Sequence, residues 1–461
     1  MAFTEFCCRS GGSNLNAGTR TGNSTVPGTA ADLTYASGTW VSATGVFTVA
    51  AGDPVVDGVV VGDFASVYAD GATVTTLVGR VTARTSTTIT VSTSIKTGTT
   101  TDGALTRTLK IGGAWAGPSG TDGFPLSFLT SACTNASTVN RINMKNDVTY
   151  SITAAITGST ASVLQGFTTA YEDGGKAIID GGTTGASYVL FACANPLLAD
   201  MIFQNNGATG SAVGLTVNNT RTLRVVVHDV RGNGFSIPAG NQLLIECEAY
   251  NCNVSGSSNG GFNTFSGTGF ILRRCIAHNN TGVGFNIGQV THLFSCIGDS
   301  NTTRGAYNAG FLGTCNFFDC DFYNNGTSGL EMSGNIYVEN CNFIDNGGWG
   351  LSTTGSCILV NCGFGSGTAA NTSGTRTVTL GLIESGTVTY AADVTPWVDP
   401  ANGDFRISLS AAKGAGRGAF TQTAPSYSGT VGYPDIGAAQ HQDSGGGGGI
   451  PIARGMHGGM R

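Results

Sequence analysis

The sequence predicts an all-β protein whose main body is a solenoid of parallel strands, and three observations support this prediction. Glycine accounts for 72 of the 461 residues, while charged residues make up only 11% of the chain. A pattern of cysteine, asparagine and glycine recurs through the middle of the sequence. Close to the N-terminus, valine and threonine alternate in short segments that glycine and aspartate separate, which is typical of antiparallel strands.

The composition excludes several other classes of protein. Collagen requires glycine at every third position together with abundant proline, and the chain has only 11 prolines. Disordered chains combine low hydrophobicity with high charge, whereas 40% of these residues are apolar. The net charge of −6 offers no electrostatic basis for binding nucleic acid. No run of 18 apolar residues occurs, so the sequence predicts no membrane span.

The repeat is clearest when the sequence is aligned on six cysteines that follow short apolar stretches. Successive members are 28, 21, 24, 21 and 21 residues apart, a period that fits one coil of a parallel β-solenoid. Stacked coils place equivalent residues about 4.8 Å apart. The cysteines are therefore predicted to form an inward-facing core ladder, in which a thiol behaves as a small apolar group. They are Cys247, Cys275, Cys296, Cys320, Cys341 and Cys362.

Asparagines follow most of these cysteines and predict a second ladder at a turn. Asparagine tolerates the left-handed backbone that tight turns need, and its amide can hydrogen-bond from coil to coil. The predicted turn ladder consists of Asn251, Asn279, Asn301, Asn324 and Asn346.

These repeats resemble the right-handed parallel β-helix superfamily, the proteins with the pectin-lyase-like fold. The segment GGSNLNAGT near the start, residues 141–182 and residues 397–440 resemble the N-terminal, first-coil and closing segments of that family. The resemblance covers residues 120–440 and the beginning of the chain. It implies a right-handed solenoid, but the fold carries lyases, hydrolases, adhesins and phage spikes alike. Phage members of the family are commonly homotrimers, so the resemblance also implies a trimer.

The pattern along the chain predicts five parts. A small antiparallel β domain is inserted near the N-terminus, and residues 114–132 match the region where the family carries a short capping helix. The predicted parts are an N-terminal segment (1–26), the inserted all-β domain (27–115), the parallel β-helix (116–383), a C-terminal capping region (384–443) and a glycine-rich tether with a docking tail (444–461).

The tail is amphipathic and basic on an acidic protein, which indicates docking to an acidic partner surface. The alternative is a terminus with no role. Its candidate docking residues are Ile450, Ile452, Arg454, Met456, His457, Met460 and Arg461.

No catalytic cluster is recognisable in the sequence. The signatures of the family's hydrolases (Asn-Thr-Asp, Asp-Asp and Gly-His-Gly) are absent, as is an aspartate cluster for calcium, so we predict no metal and no cofactor. The weak candidates for glycan cleavage are Asp319 paired with either Asp321 or Glu339. Strand alternation predicts that the residues beside the inward cysteines face solvent. These residues are Glu246, Glu248, Arg274, Asp319, Asp321, Asn340 and Asn342.

Three functions remain open on this evidence, and the sequence favours the first of them. It is a non-enzymatic structural or attachment protein of a virus particle, such as a phage spike, fibre or capsid-decorating protein. This protein would contact other virion proteins through its tail or N-terminal region, and it could also bind surface glycans. The second is a polysaccharide lyase or glycoside hydrolase, so the sequence leaves enzymatic activity open. The third is a non-catalytic adhesin that binds glycans through Tyr323, Tyr337 and Trp349.

The expected location follows from the chain's start and its thiols. The opening MAFTEFCCRSGG lacks the basic and apolar regions of a secretory signal peptide. Reduced cysteines are typical of proteins made in a cytosol, and the chain has 13. The sequence therefore predicts a virion protein that is assembled in the host cytoplasm.

Overall fold

A computed structural model gives the architecture of the chain, which is made of β-strands. Among the residues that it describes, the one helical segment is a 3-10 turn at Pro400–Asn402, and no helix is long and apolar enough to cross a membrane. The structure describes residues 3–9, 31–69, 77–92, 96–97, 104–112, 139–151, 156–157, 163–182, 188–189, 196–205, 213–215, 218–238, 240–252, 260–264, 268–308, 310, 313–365, 376–378, 381–385, 388–390, 396–402 and 404–409.

The chain divides into two compact units. The first comprises Met1–Ser255 with Asn259–Gly267, and the second comprises Gly256–Ser258 with Thr268–Arg461. From Val139 onward, each solenoid strand pairs in parallel with the third strand further along the chain, so that three strands complete one coil. Strands are numbered below in chain order.

The first unit contains three parallel sheets and a separate antiparallel sheet. Its first parallel sheet consists of β1 (Phe3–Cys8), β9 (Val139–Lys145), β12 (Val163–Phe167), β15 (Leu197–Ala199), β18 (Arg221–Leu223) and β21 (Leu243–Ile245). The second consists of β10 (Thr149–Ser151), β13 (Ala177–Asp180), β16 (Met201–Gln204), β19 (Val226–His228) and β22 (Glu248–Tyr250). The third consists of β11 (Ile156–Thr157), β14 (Tyr188–Val189), β17 (Val213–Gly214), β20 (Phe235–Ser236) and β23 (Gly260–Asn263).

The antiparallel sheet closes on itself as a small barrel. Its order is β4-β8-β2-β3-β6-β5-β7, and an additional β4–β5 pairing joins six of the strands into a ring. Closure removes the exposed edges that a flat sheet would leave. Trp40 and Phe47 are fully buried at its centre among valines, leucine and isoleucines. The strands are β2 (Leu33–Val41), β3 (Val46–Thr48), β4 (Phe64–Tyr68), β5 (Leu77–Arg84), β6 (Thr88–Val91), β7 (Lys96–Thr97) and β8 (Ala104–Ile111).

The second unit repeats the pattern of three parallel sheets. Its first sheet consists of β24 (Thr268–Arg273), β27 (Gln289–Phe294), β30 (Cys315–Phe318), β33 (Ile336–Glu339), β36 (Ser356–Val360) and β39 (Gly381–Ser385). The second consists of β25 (Ile276–His278), β28 (Ile297–Asp299), β31 (Asp321–Tyr323), β34 (Asn342–Ile344), β37 (Gly363–Phe364) and β40 (Val388–Thr389). The third consists of β26 (Val283–Asn286), β29 (Arg304–Asn308), β32 (Ser328–Met332), β35 (Trp349–Thr353) and β38 (Arg376–Val378). An antiparallel pair, β41 (Trp397–Asp399) and β42 (Asp404–Ile407), follows.

The predicted fold class, an all-β right-handed parallel β-helix with a small antiparallel domain near the N-terminus, is confirmed. Right-handed crossovers are the rule between parallel strands of one sheet. The strands of the N-terminal antiparallel sheet, residues 33–111, lie inside the predicted range 27–115. The boundaries of the five predicted parts stay predictions. The expected capping helix at 114–132 and the whole tail at 444–461 lie outside the described residues.

Left-handed residues form the two corners that flank the second sheet. Non-glycine residues with φ between 49° and 56° stand there in coil after coil, which lets short strands turn sharply. Most are Asn, Asp or Ser, because their short polar side chains favour this conformation. The corner before the sheet carries Asp200, Arg224, Glu246, Arg274, Ser295, Asp319, Asn340 and Asn361. The corner after it carries Asn205, Asp229, Asn251, Asn279, Ser300, Asn324 and Asp345.

Buried asparagines lie one position beyond the second corner and connect the coils of the second unit. The Asn325 amide donates to Gly298 O at 2.9 Å and to Asn346 Oδ1 at 2.8 Å, and its Oδ1 accepts from Asn301 Nδ2 at 3.0 Å. Asn280 donates in the same way to Asn301 Oδ1 at 2.9 Å. The inner asparagine ladder is therefore Asn280, Asn301, Asn325 and Asn346, all of them buried.

Replacing one rung of this ladder tests its contribution to stability. We expect Asn325→Ala to lower the free energy of unfolding by about 3 kcal/mol, because it leaves several buried partners without a hydrogen bond. Asn324→Ala is the matched control, since that exposed side chain donates only to Ser300 Oγ. It should cost about 1 kcal/mol for placing alanine in the left-handed region. Thermal unfolding followed by circular dichroism measures both, and an equal loss of stability would contradict the assignment.

Candidate functional site

The six cysteines of the predicted ladder are all buried, and none of them forms a disulfide bond. In the second unit, Ile297 N donates to Cys275 O and Asp321 N to Cys296 O, both at 3.0 Å, which places these cysteines on successive coils. Cys320 N also donates to Cys341 Sγ at 3.3 Å. Cys362 follows at the next coil, since Gly363 N donates to Cys341 O, and Cys247 lies in the first unit. All six are fully buried.

Burial makes these thiols poor nucleophiles. It raises the pKa of Cys341 to about 11 and that of Cys362 to about 12, and it raises the pKa of Cys296 and Cys320 well above the ordinary value. The reactive form of cysteine is the thiolate, so these side chains act as apolar packing groups. Among the described residues, no three His, Cys, Asp or Glu side chains converge as a metal site.

The structure divides the predicted turn ladder between two columns. Asn251, Asn279 and Asn324 are left-handed corner residues that are exposed. Asn301 and Asn346 belong to the buried inner ladder instead. The repeat carries two consecutive polar positions at this turn, and an alignment on the cysteines alone cannot separate them when the coil length varies.

The predicted exposure of Asp321, Asn340 and Asn342 is wrong. All three side chains are buried, and Asp321 is 0% exposed. For Asp321 and Asn342 the physical reason is the C-terminal segment, which covers the outer face of the second sheet. There Tyr390 OH donates to Asn342 Oδ1 at 2.7 Å, and Asn342 Nδ2 donates to Asp321 Oδ1 at 2.9 Å.

The cover itself is an aromatic cluster. Trp397, Phe405 and Ile407 of the antiparallel pair and Tyr390 pack with Ile344, against partly buried neighbours on the same sheet. The ring of Tyr323 meets that of Trp397 edge-on at 5.4 Å between centroids. Asp321 therefore has no access to a substrate in this arrangement, and its pairing with Asp319 for catalysis is not supported.

The remaining carboxylates of the predicted set, Asp319 and Glu339, lie beside each other at the corner between the first and second sheets. Asp319 N donates to Glu339 O at 3.0 Å, and Asn340 Nδ2 donates to Asp319 Oδ1 at 3.0 Å. Burial raises the pKa of Asp319 from 3.8 to about 7, and the nearby charge of Glu339 adds to the effect. Asp319 is thus partly protonated at neutral pH, which is the property that a general acid needs.

Glu339 is 2% exposed and points to the outer side of the first sheet, where Tyr337 OH donates to its Oε2 at 2.7 Å. Its Oε1 has no hydrogen-bond partner among the described residues. In register with it stand Phe318, Phe294 and Arg273, whose guanidinium lies 5.3 Å from the centre of the Phe294 ring. We call this set the first-sheet face: Arg273, Phe294, Phe318, Tyr337 and Glu339.

The three aromatic residues predicted for glycan binding do not form one surface. Tyr337 lies on the first sheet, Tyr323 on the second and Trp349 on the third. Tyr323 is covered by the C-terminal segment, and Tyr337 is engaged with Glu339. Trp349 is 42% exposed.

A polar column on the second sheet of the first unit does not stand out in the sequence. Asp180, Gln204, His228 and Tyr250 are in register on successive coils. Gln204 Nε2 donates to Asp180 Oδ2 at 2.9 Å, and the rings of His228 and Tyr250 stack with centroids 4.8 Å apart. The coils of Asp180, Gln204 and His228 lack the cysteine on which the repeat is aligned, so the strand register is what reveals the column.

The carboxylates in this column and beside it are stabilised in their charged form by hydrogen bonds. Burial by itself raises the pKa of Asp229, but hydrogen bonds from His228 and Asn251 outweigh it and lower that pKa. Burial likewise opposes the hydrogen bonds from Gln204 and Asn205 at Asp180, and the net effect lowers its pKa. Both carboxylates are therefore ionised at neutral pH, and neither can serve as a general acid. His228 itself directly precedes the left-handed corner residue Asp229.

The opposite pKa shifts of Asp319 and Asp229 predict opposite effects of pH on stability. Because the folded-state pKa of Asp319 lies above its unfolded value, its favourable contribution is present below pH 4 and is lost as the pH rises through about 7. Asp319→Asn keeps an acceptor for Asn340 and suits the left-handed backbone. At pH 8 we expect this variant to be about 2 kcal/mol more stable than the native chain. This is about half of the free energy that corresponds to a rise in pKa from 3.8 to about 7, because Asp319 is only partly buried.

The matched control, Asp229→Asn, should behave in the opposite way. The pKa of Asp229 is lowered on folding, so its contribution is present above the unfolded pKa and is lost as the pH falls through the folded value. This variant should be less stable than the native chain at pH 8, and the difference should close in acid. Denaturant unfolding from pH 2 to pH 8 tests both, and parallel curves for the two variants would contradict the assignment.

Comparison with known proteins leaves the family open. No family model matches the sequence, and no curated protein matches it. Pectate lyase Pel9A is similar over 70% of this chain and 94% of its own, with 14% identity and a TM-score of 0.39. ORF18 of Geobacillus virus E2 is similar over 57% of this chain and 56% of its own, with 12% identity and a TM-score of 0.36. The catalytic domain of a GH87 α-1,3-glucanase covers 83% of this chain and 94% of its own, with 10% identity and a TM-score of 0.33. With TM-scores below 0.5, these likenesses decide neither the family nor the activity.

Proposed function

We propose that the chain is a non-enzymatic structural or attachment protein of a virus particle. The observation that supports this proposal is the set of contacts that its polar and aromatic side chains make between coils. Several carboxylates, amides and aromatic rings are bonded or stacked to the equivalent position of the next coil, as Asp319 is to Asn340, Asn325 to Asn346 and Phe343 to Phe364. Such ladders stiffen a stack of coils, and the groups that form them are not free to act on a substrate.

The thiols support the same function. The six ladder cysteines are buried thiols that form no disulfide bonds, which suits a protein assembled in a reducing cytosol. A stack of coils also has two ends, and the sequence adds further segments at each. We propose that the tail, with Ile450, Ile452 and Arg454 among its residues, docks the chain to other virion proteins. We further propose that the chain forms a homotrimer.

Particle composition and particle incorporation test this function. Mass spectrometry of purified particles from the producing culture should detect the chain, while its absence from particles would contradict the proposal. Deleting residues 444–461 should abolish incorporation and leave the folded chain in the soluble fraction. Light scattering should give three times the mass of one chain, and a stable monomer would exclude the trimer.

A second candidate function, glycan cleavage, is favoured by one observation. Asp319 has a pKa raised to about 7, and it stands beside Glu339, which is a second carboxylate. Glycoside hydrolases use two carboxyl groups, of which one must be protonated at the working pH. In this case Asp319 is the acid and Glu339 is the base or nucleophile.

Activity measurements separate the two candidate functions. Incubation with a panel of polysaccharides should release no reducing ends and no unsaturated sugars if the chain is structural. Release that Asp319→Asn and Glu339→Gln each reduce by at least about a hundredfold would establish the enzymatic candidate. Asp321→Asn is the control, because that carboxylate lies beneath the C-terminal segment and its loss should leave any activity unchanged.

A further inference from the structure

One loop of the small antiparallel barrel exposes a cluster of valines. The loop connects β3 to β4, and its residues Val55, Val56, Val60 and Val61 are between 43% and 80% exposed. The other exposed large apolar residues in the described part of the chain stand singly in the sequence. Single exposed apolar side chains are normal in soluble proteins, whereas a cluster of them marks an interaction surface. We call these four residues the valine loop.

The valine loop is held in one shape by the residues between and before the exposed valines. Val59 is fully buried in the core of the barrel, so it anchors the middle of the loop. On the N-terminal side, Asp53 Oδ1 accepts hydrogen bonds from Val55 N and Val56 N at 2.9 and 3.3 Å. Because the valines are displayed at fixed positions, little conformational entropy is lost when another surface covers them.

The polar groups of the loop are bonded within the barrel. Val60 N donates to Asp63 Oδ2 at 2.9 Å, and Tyr35 OH donates to Asp57 Oδ2 at 3.0 Å. Asp57 N in turn donates to Asp53 O at 2.8 Å. A surface that covers the valines therefore need not supply hydrogen bonds to the backbone of the loop, and covering these groups leaves few of them unsatisfied. The chemistry of the loop favours an apolar partner.

The size of the exposed surface indicates how much of a contact it can form. The four valines together expose about 350 Å² of surface, which is comparable to the largest apolar patch of a typical monomer. Three such loops that cover one another would bury up to about 1,000 Å² in total, the area at which a specific interface becomes stable. Three copies of the loop are therefore sufficient partners for one another.

We propose that the valine loops of three copies of the chain pack against one another around the axis of the homotrimer. Apolar surface is complementary to itself, because a contact between valines buries area on both sides and requires no matching of donors, acceptors or charges. A symmetry axis brings the same loop of every copy to one place. This inference rests on the homotrimer of the proposed function, and it assigns a contact that holds the three chains together.

The oligomeric mass of the full chain tests this contact. Light scattering at about 10 µM should give three chain masses for the native chain and one for the double variant Val56→Asp/Val61→Asp, because carboxylates buried at the axis should raise the dissociation constant at least about a hundredfold. Val398→Asp is the matched control, since Val398 is 52% exposed but lies on β41 in the second unit, and this variant should keep the trimeric mass.

Cross-linking provides a second measurement that does not depend on weakening the contact or on the stability of the double variant. Val56→Cys treated with a short bis-maleimide should yield covalent dimers on denaturing gels, because each chain then presents one reactive thiol beside those of its neighbours. The native chain, whose described cysteines are buried, should yield none. Val398→Cys should also remain monomeric on the gel.

Three results would overturn the proposal. They are a trimeric mass that the double variant leaves unchanged, the absence of cross-linked dimers from Val56→Cys, and a double variant that keeps its mass but no longer enters particles, since the loop would then contact another virion protein. A native chain that stays monomeric up to about 100 µM would overturn the homotrimer together with this inference. Membership of the particle is measured separately by mass spectrometry, so its failure and the failure of this contact are distinguishable.

Discussion

The structure depends on the strict register between successive coils. Parallel pairing at one strand spacing places every side chain about 4.8 Å from its equivalents in the coils before and after it. Each side chain must therefore pack against the equivalent side chains of the two neighbouring coils as well as against its local surroundings. Phe322, Phe343 and Phe364 meet this requirement by stacking, with centroid separations of 5.4 and 4.9 Å between neighbours. The buried asparagines meet it by donating an amide hydrogen to the next amide oxygen.

The same register explains why charge is scarce and where it occurs. Like charges at equivalent positions of adjacent coils repel each other, whereas opposite charges attract. In the first unit, Arg224 forms two hydrogen bonds of 2.6 and 2.7 Å to Asp200 of the preceding coil. In the second unit, Arg304 and Glu331 are paired across one coil. Other carboxylates accept a hydrogen bond from an amide of the next coil, as Asp319 does from Asn340 and Asp321 from Asn342.

The carboxylates lie in two kinds of environment, which lower the pKa in one case and raise it in the other. Where hydrogen bonds outweigh burial, as at Asp180 and Asp229, the pKa is lowered and the group stays ionised. Where burial dominates, as at Asp299 and Asp319, the pKa is raised. Asp319, whose pKa is raised to about 7, can hold a proton near neutral pH, so the enzymatic candidate depends on the corner that carries it. The structural candidate depends on the side chains that bond from coil to coil, such as the buried asparagines.

The amino-acid sequence alone determined that the chain folds as a solenoid. Each coil repeats the sequence pattern after 21 to 28 residues, and this period can be counted directly. The sequence also indicated that the small N-terminal domain is antiparallel, since Val and Thr alternate there, although the β4–β5 pairing that closes it as a barrel joins segments whose contact no local pattern reports. Strand alternation could not anticipate that Tyr390 and Trp397 cover the second sheet and bury Asp321, because a segment that returns over a sheet changes exposure without changing the repeat. Likewise, Asn324 is exposed and Asn325 is buried because their amides lie on opposite sides of the corner. Periodic features follow from the sequence because each coil repeats the same local conformation, whereas cover, pairing and exposure depend on contacts between distant parts of the chain.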